Sequence, residues 1–203
     1  MEKNVEDLFA HKSKSWDMNS KRVKNAQAIA ALIVKNIYLS PSMEIMDFGA
    51  GTGLLSFFVS QKVGKIVAVD NSPSMLDEFR KKSSEFDSQT EVLVLDLSIE
   101  NTDRKFDGII SSMTIHHLED THALFSKFYE MLHKDGFIAI ADLDTEDGTF
   151  HSDNTGVFHY GFDRNVLEKI AKEVGFKNIY FETASVIKKP QADFSVFLMV
   201  AEK

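Results

Sequence analysis

IMDFGAGTGLL, residues 45–55, decides the reading of this chain. An apolar run leads into a loop holding Gly49, Gly51 and Gly53, and apolar residues at helical spacing follow at once. Glycines there let the backbone pass close under a ligand that a Cβ would obstruct. Such a loop after a strand serves nucleotides generally. The dinucleotide fingerprint places glycine or alanine three residues after the second glycine, and this chain has Leu54 there. No GK[ST] sequence is present either. A ligand with a glycine-cradled nucleoside and no phosphate satisfies both departures.

Outward from the loop, short runs rich in Val, Ile and Phe alternate with helical stretches. The spacing predicts strands at 44–48, 65–70, 91–95, 106–111, 137–142, 178–187 and 194–202. It predicts helices at 22–39, 52–62, 74–84, 121–132 and 164–174. That alternation builds a mostly parallel sheet with helices on both faces. The last two strands have too short a connection to be parallel. The expectation is a doubly wound, Rossmann-like α/β fold of seven strands whose last strand is antiparallel. Ligands of such sheets sit beyond the carboxyl ends of the strands.

The 203 residues are read as one domain, with 1–40 as a helical cap over the ligand site. At 43% hydrophobic residues the chain can bury a core without disulfides, and it has no cysteine. The first residues form no apolar secretory run, and no segment approaches a membrane span. These features predict a cytoplasmic protein with no membrane partner. A net charge of −8, from 23 basic and 31 acidic residues, argues against a nucleic-acid partner. Monomer and homodimer both remain open.

Two carboxylates follow the glycine loop at strand ends. Asp70 lies about 20 residues on, where a carboxylate accepts both ribose hydroxyls. Asp96 lies in the run VLDL, residues 94–97, at the end of the third strand, where it can accept an adenine amine.

IMDFGAGTG, VDNSPSML, LDL and FDGIISSMTIHHL, in that order, resemble the successive motifs of the class I S-adenosylmethionine (SAM)-dependent methyltransferases. The likeness is to their small-molecule branch, of type 11 or 12, and runs from about residue 44 to 142. It implies SAM as the cofactor and a small-molecule methyl acceptor as the partner. Asp47, Gly49, Ala50 and Gly51 would hold the methionine end, and Ser111 would line it. Asp70 would hold the ribose, Asn71 beside it would also touch the cofactor, and Met75, Asp96 and Leu97 would frame the adenine. Asp47 also reads as a loop-stabilising residue. In this branch an N-terminal aromatic stretch folds over the cofactor, which places Trp16, with Phe9 and His11, near the site. A tryptophan sealing the core edge is the other reading.

His116 and His117 follow the fourth strand, in the region that faces the acceptor in this family. An imidazole can take an acceptor's proton near neutral pH, so His116 is the candidate general base. A plain loop-capping role competes with it. Residues 143–163 are long for a connection and carry Phe150, His151 and Tyr160, read with His117 as acceptor-pocket residues. Asp142, Asp144 and Glu146 do not fit a calcium loop, because glycine is displaced to Gly148. No metal is expected. Two competing functions are a SAM-binding module without catalysis and a nicotinamide-dependent oxidoreductase, the latter disfavoured by Leu54.

Overall fold

A computed structural model describes Asp7, Ala10 and residues 12–203. Seven strands form one sheet: β1 (Glu44–Phe48), β2 (Lys65–Asp70), β3 (Gln89–Val94), β4 (Phe106–Ser112), β5 (Leu132–Leu143), β6 (Lys177–Lys188) and β7 (Asp193–Glu202). Their order across the sheet is β3-β2-β1-β4-β5-β7-β6. β1 to β5 pair in parallel, and β7 runs antiparallel to both of its neighbours. The expected doubly wound sheet with a reversed last strand is what the chain forms. β7 lies inside the sheet, between β5 and β6.

Among the described residues five helices cover it: α1 (Ser20–Asn36), α2 (Leu54–Val59), α3 (Pro73–Lys82), α4 (Thr121–Met131) and α5 (Arg164–Val174). Each start has a chemical cause. Asn19 accepts from the amides of Lys21 and Arg22, Asp120 from Ala123, and Asp163 from Asn165 and Val166. α3 opens with Ser72 as cap and Pro73 in its first turn. The expected start of α1 at Arg22 moves to Ser20 because Asn19 supplies the cap.

Alternate residues of the central strands feed two layers. Met46, Val67, Ile109, Ile138 and Phe197 face α4 and α5, in one cluster with Phe125, Phe128 and Leu167. Ile45, Ile66, Ile110, Ala139 and Leu198 join Ile29, Ile33, Leu55 and Val59 of α1 and α2 on the other face. α1 therefore packs into the body of the fold. The part of the N-terminal segment that reaches the glycine loop is the 3-10 turn Ser13–Met18. There Asp17 accepts a hydrogen bond from Thr52 and pairs with Lys82 of α3. No helix among the described residues is long and apolar enough to cross a membrane.

Candidate active site

The carboxyl ends of β1, β2, β4 and β5 lie side by side along one edge of the sheet, and the loops after them form the candidate site. Its floor is the loop after β1, pulled toward β2 because the amides of Gly49 and Ala50 both donate to the carbonyl of Val69. Gly49 and Gly51 both have positive φ, +67° and +54°, but their surroundings differ. A Cβ on Gly49 would enter the side chain of Thr114, so this glycine is demanded by packing. A Cβ on Gly51 would meet only the Met75 methyl, 3.8 Å away. Gly51 thus borders open space, and a ligand can lie against its backbone. Ala50 is buried with Leu76 and Phe79 behind the loop.

Asp70 stands at the edge of that space. Its carboxylate accepts from the Gly51 and Ser72 amides, at 2.8 Å each, and keeps lone pairs for a ligand. Burial raises its pKa. Asn71 donates to Asp96, 3.3 Å away, and Asp96 also accepts from the Ser98 amide and hydroxyl. Neither Asp70 nor Asp96 has an ion-pair partner among the described residues. A pyrophosphate would face two carboxylates here, whereas a sulfonium-bearing nucleoside would not be repelled.

Four other candidates hold different posts. Asp47 is 1% exposed and accepts from the Ser56 hydroxyl at 2.6 Å, so it ties β1 to α2. Burial pushes its carboxyl up to about 7. The Ser111 hydroxyl donates to the Phe48 carbonyl at 2.8 Å and is spent between two strands. Leu97 is buried in the core beside Leu124. Trp16 stacks against the Arg22 guanidinium, 3.7 Å from its ring centroid. Phe9 and His11 lie outside the described residues.

At the other end of the site β4 ends in a bend. Met113 adopts φ +57°, a sparsely populated conformation for a methionine. The bend turns the chain into the short 3-10 turn Ile115–His117, which brings His116 beneath the end of β5. His116 Nδ1 lies 2.7 Å from the Asp142 carboxylate, and the His116 amide donates to the same group. Both side chains are buried, 1% and 0% exposed. Asp142 also accepts from the Leu143 amide. A carboxylate accepts only, so Nδ1 carries the proton and Nε2 is left basic. That Nε2 is buried without a hydrogen-bond partner among the described residues.

His151 joins this pair from the loop at 144–163, its ring centroid 5.0 Å from His116 and 6.0 Å from His117. His116 and His117 are 4.2 Å apart. Burial, with the neighbouring imidazoles, pushes His151 down to about 4, and His117 is lowered for the same reasons. Both are therefore neutral at pH 7. The loop is fastened over the histidines. The amides of Phe158 and His159 donate to the His116 carbonyl, and His117 Nδ1 sits 2.6 Å from the Gly156 carbonyl. Phe150 packs edge-on against Phe194 behind His151, 5.2 Å between centroids. Tyr160 stands apart, 46% exposed and lying over Gly148. Asp142, weighed in the sequence only as a calcium ligand, is the candidate whose pairing with His116 that reading missed; its signal was a carboxylate near the end of the strand next to β4. Among the described residues no cluster of His, Cys, Asp and Glu is arranged to hold a metal ion.

Residues 45–136 match the methyltransferase domain family. The chain is 32% identical over 177 residues to an uncharacterized methyltransferase of Schizosaccharomyces pombe, covering 79% of this chain and 61% of that one. Across its central half the chain is thus similar to the methyltransferase domain family, and in sequence to a methyltransferase. The chain is also 28% identical to phosphoethanolamine N-methyltransferase 1 of Zea mays, over 73% of this chain and 31% of that one. It thus spans between about a third and three fifths of the length of these curated relatives. A solved structure of phosphoethanolamine N-methyltransferase 2 of Haemonchus contortus, in complex with SAM, superposes with a TM-score of 0.68. That match has 21% identity and covers 87% of this chain and 52% of the other.

Proposed function

We propose that the protein transfers a methyl group from SAM to a small-molecule acceptor, with His116 as general base. One observation carries this reading. At the acceptor end of the site, a buried imidazole held by a buried carboxylate presents a basic nitrogen to no protein partner.

The residues fit the cofactor. Gly51 leaves room for it, Asp70 offers free lone pairs to a ribose, and Met75 lies against the loop. Bound SAM supplies a methyl group on a sulfonium, whose displacement leaves the neutral thioether S-adenosylhomocysteine. The protein aligns the acceptor and excludes water, and alignment alone is worth several kcal/mol. His116 Nε2 accepts the proton that the acceptor gives up. Asp142, on the opposite nitrogen, fixes the tautomer and steadies the imidazolium that forms. His117 and His151, neutral and 4.2–6.0 Å from their neighbours, line the acceptor space with rings that do not compete for that proton. A small acceptor fits a site roofed by a fastened loop. The absence of cysteine suits a cytoplasmic setting.

The test is a metabolite-extract screen with methyl-labelled SAM. Wild-type protein should label a small molecule, and His116→Ala should lower turnover by ~10²-fold or more. Equal labelling by both proteins would remove His116 from the chemistry.

A further inference from the structure

Positive charge in this acidic chain is not spread evenly. Residues 12–24 hold Lys12, Lys14, Lys21, Arg22 and Lys24 against a single acidic residue, Asp17. The fold brings this stretch to the turn between β6 and β7, because Lys21 Nζ donates to the Lys188 carbonyl at 2.7 Å. The next residue, Lys189, turns inward. Its amine donates to the Phe150 carbonyl and lies 3.8 Å from the Phe150 ring centroid. Phe150 is the neighbour of His151, 4.8 Å between centroids. A chain of contacts therefore runs from α1 through Lys189 to the imidazole pocket.

We propose that the methyl acceptor carries an anionic group, a carboxylate or a phosphate monoester, seated by Lys189 with Lys21 and Arg22 behind it. This rests on the reading of the histidine cluster as the acceptor end of the site. The amine of Lys189 is half-buried, and its pKa is lowered, first by burial and further by the charges of Lys21 and Arg22. Burial lowers Arg22 as well. Cations crowded together and partly stripped of water gain most when an anion joins them. Glu146 is the carboxylate acting on Lys189; its Oε2 accepts from the Thr149 and Phe150 amides, while its Oε1 is buried with no hydrogen-bond partner among the described residues. Lys12 acts on His117 and on Asp153. Of the charged groups acting on Lys189, one is a carboxylate, Glu146, and two are cations, Lys21 and Arg22, the reverse of the balance in the whole chain. The neutral imidazole of His151 beside them has an Nε2 with no hydrogen-bond partner among the described residues and can donate from it to an anion without adding charge of its own.

The experiment titrates inorganic phosphate, and separately acetate, into protein saturated with S-adenosylhomocysteine at fixed pH, following the ring C–H signals of His117 and His151. Saturable shifts are expected with one or both anions, along with a rise in the titration midpoint of His151. The relative affinities tell phosphate from carboxylate. Lys189→Met should weaken the bound anion by roughly tenfold or more, and Lys21→Gln, on an exposed side chain, by no more than about fivefold. Choline should produce no comparable shift. The proposal is overturned if neither anion gives a saturable shift, if choline matches them, or if both variants bind as wild type does. His116→Ala bears on the base alone. Normal turnover in that variant with intact anion binding sinks the base and spares this inference, and the converse result does the opposite.

Discussion

Gly49 and Gly51 provide the sharpest separation of packing from binding. Each has positive φ, and an alanine there costs about 1–2 kcal/mol in backbone strain. For a chain of this size, 1 kcal/mol lowers the melting temperature by about 2–4 °C. Gly51→Ala should therefore melt about 2–8 °C below wild type, since its new methyl enters open space. Gly49→Ala drives its methyl into Thr114 and adds an overpacking cost of roughly 1–3 kcal/mol. Its melting temperature should fall by roughly 4–20 °C. Ligand binding reverses the ranking. At a hundredfold excess over Kd, S-adenosylhomocysteine stabilises wild type by about 2.7 kcal/mol. The Gly51→Ala methyl occupies the ligand's own space, so affinity should fall at least tenfold, about 1.4 kcal/mol. Calorimetry and thermal melts with and without ligand measure both quantities. Wild-type affinity in Gly51→Ala would refute the placement of the ligand. Equal melting of the two variants would refute the packing argument.

Asp142→Asn should cut turnover by ~10²-fold while leaving S-adenosylhomocysteine affinity within a few-fold, because it alters the tautomer of His116 and not the cofactor loop; unchanged turnover would show that the dyad is structural. Asp70→Ala removes the acceptor for Gly51 and Ser72 as well as for a ribose, and cofactor affinity measured by calorimetry should fall about tenfold or more. Asp47 sets a pH dependence whose sign follows from its raised pKa of about 7. Below pH ~4 the carboxyl is protonated in both states; between ~4 and 7 the folded protein keeps a proton that the unfolded chain has lost, so stability falls as pH rises. Ligand-free Asp47→Asn should gain stability relative to wild type across that window in denaturant titrations, and a constant difference from pH 4 to 8 would contradict the burial of a neutral carboxyl. Tyr160→Ala should leave turnover within a few-fold of wild type, as expected for an exposed ring over Gly148.

Local periodicity carried most of the fold. β1, β2 and α5 begin and end where the sequence places them, because apolar alternation and the Asp163 cap are properties of neighbouring residues. The location of β7 inside the sheet is not local. Whether β6 or β7 pairs with β5 depends on which strand buries both faces, and Phe197, Met199 and Ala201 against Leu198 and Val200 answer that only once all layers are assembled. The same limit governs the site. Gly51 and Asp70 follow from one motif and its spacing. The partnership of His116 with Asp142 spans 26 residues and depends on the bend at Met113. Asp142 was weighed as a calcium ligand from its acidic neighbours in sequence, while its neighbour in space is an imidazole. Lys189 carries no motif at all, and only the meeting of α1 with the β6–β7 turn shows where its amine goes.

The insertion of β7 between β5 and β6 has a consequence for biogenesis. Synthesis proceeds from the N-terminus, so β5 and β6 both emerge before the strand that must separate them. Throughout translation of residues 144–192, β5 presents an unpaired edge along Phe137–Leu143, one of the most apolar runs in the chain. Such an edge invites pairing with β6 directly or with another nascent chain. The turn at Lys189–Ala192, closed by the Lys189 amide on the Ala192 carbonyl, is the local device that lets β7 fold back against β6 as a hairpin and enter the gap as a unit. Loss of that turn should show first as a lower yield of soluble protein, before any defect in the molecules that do fold.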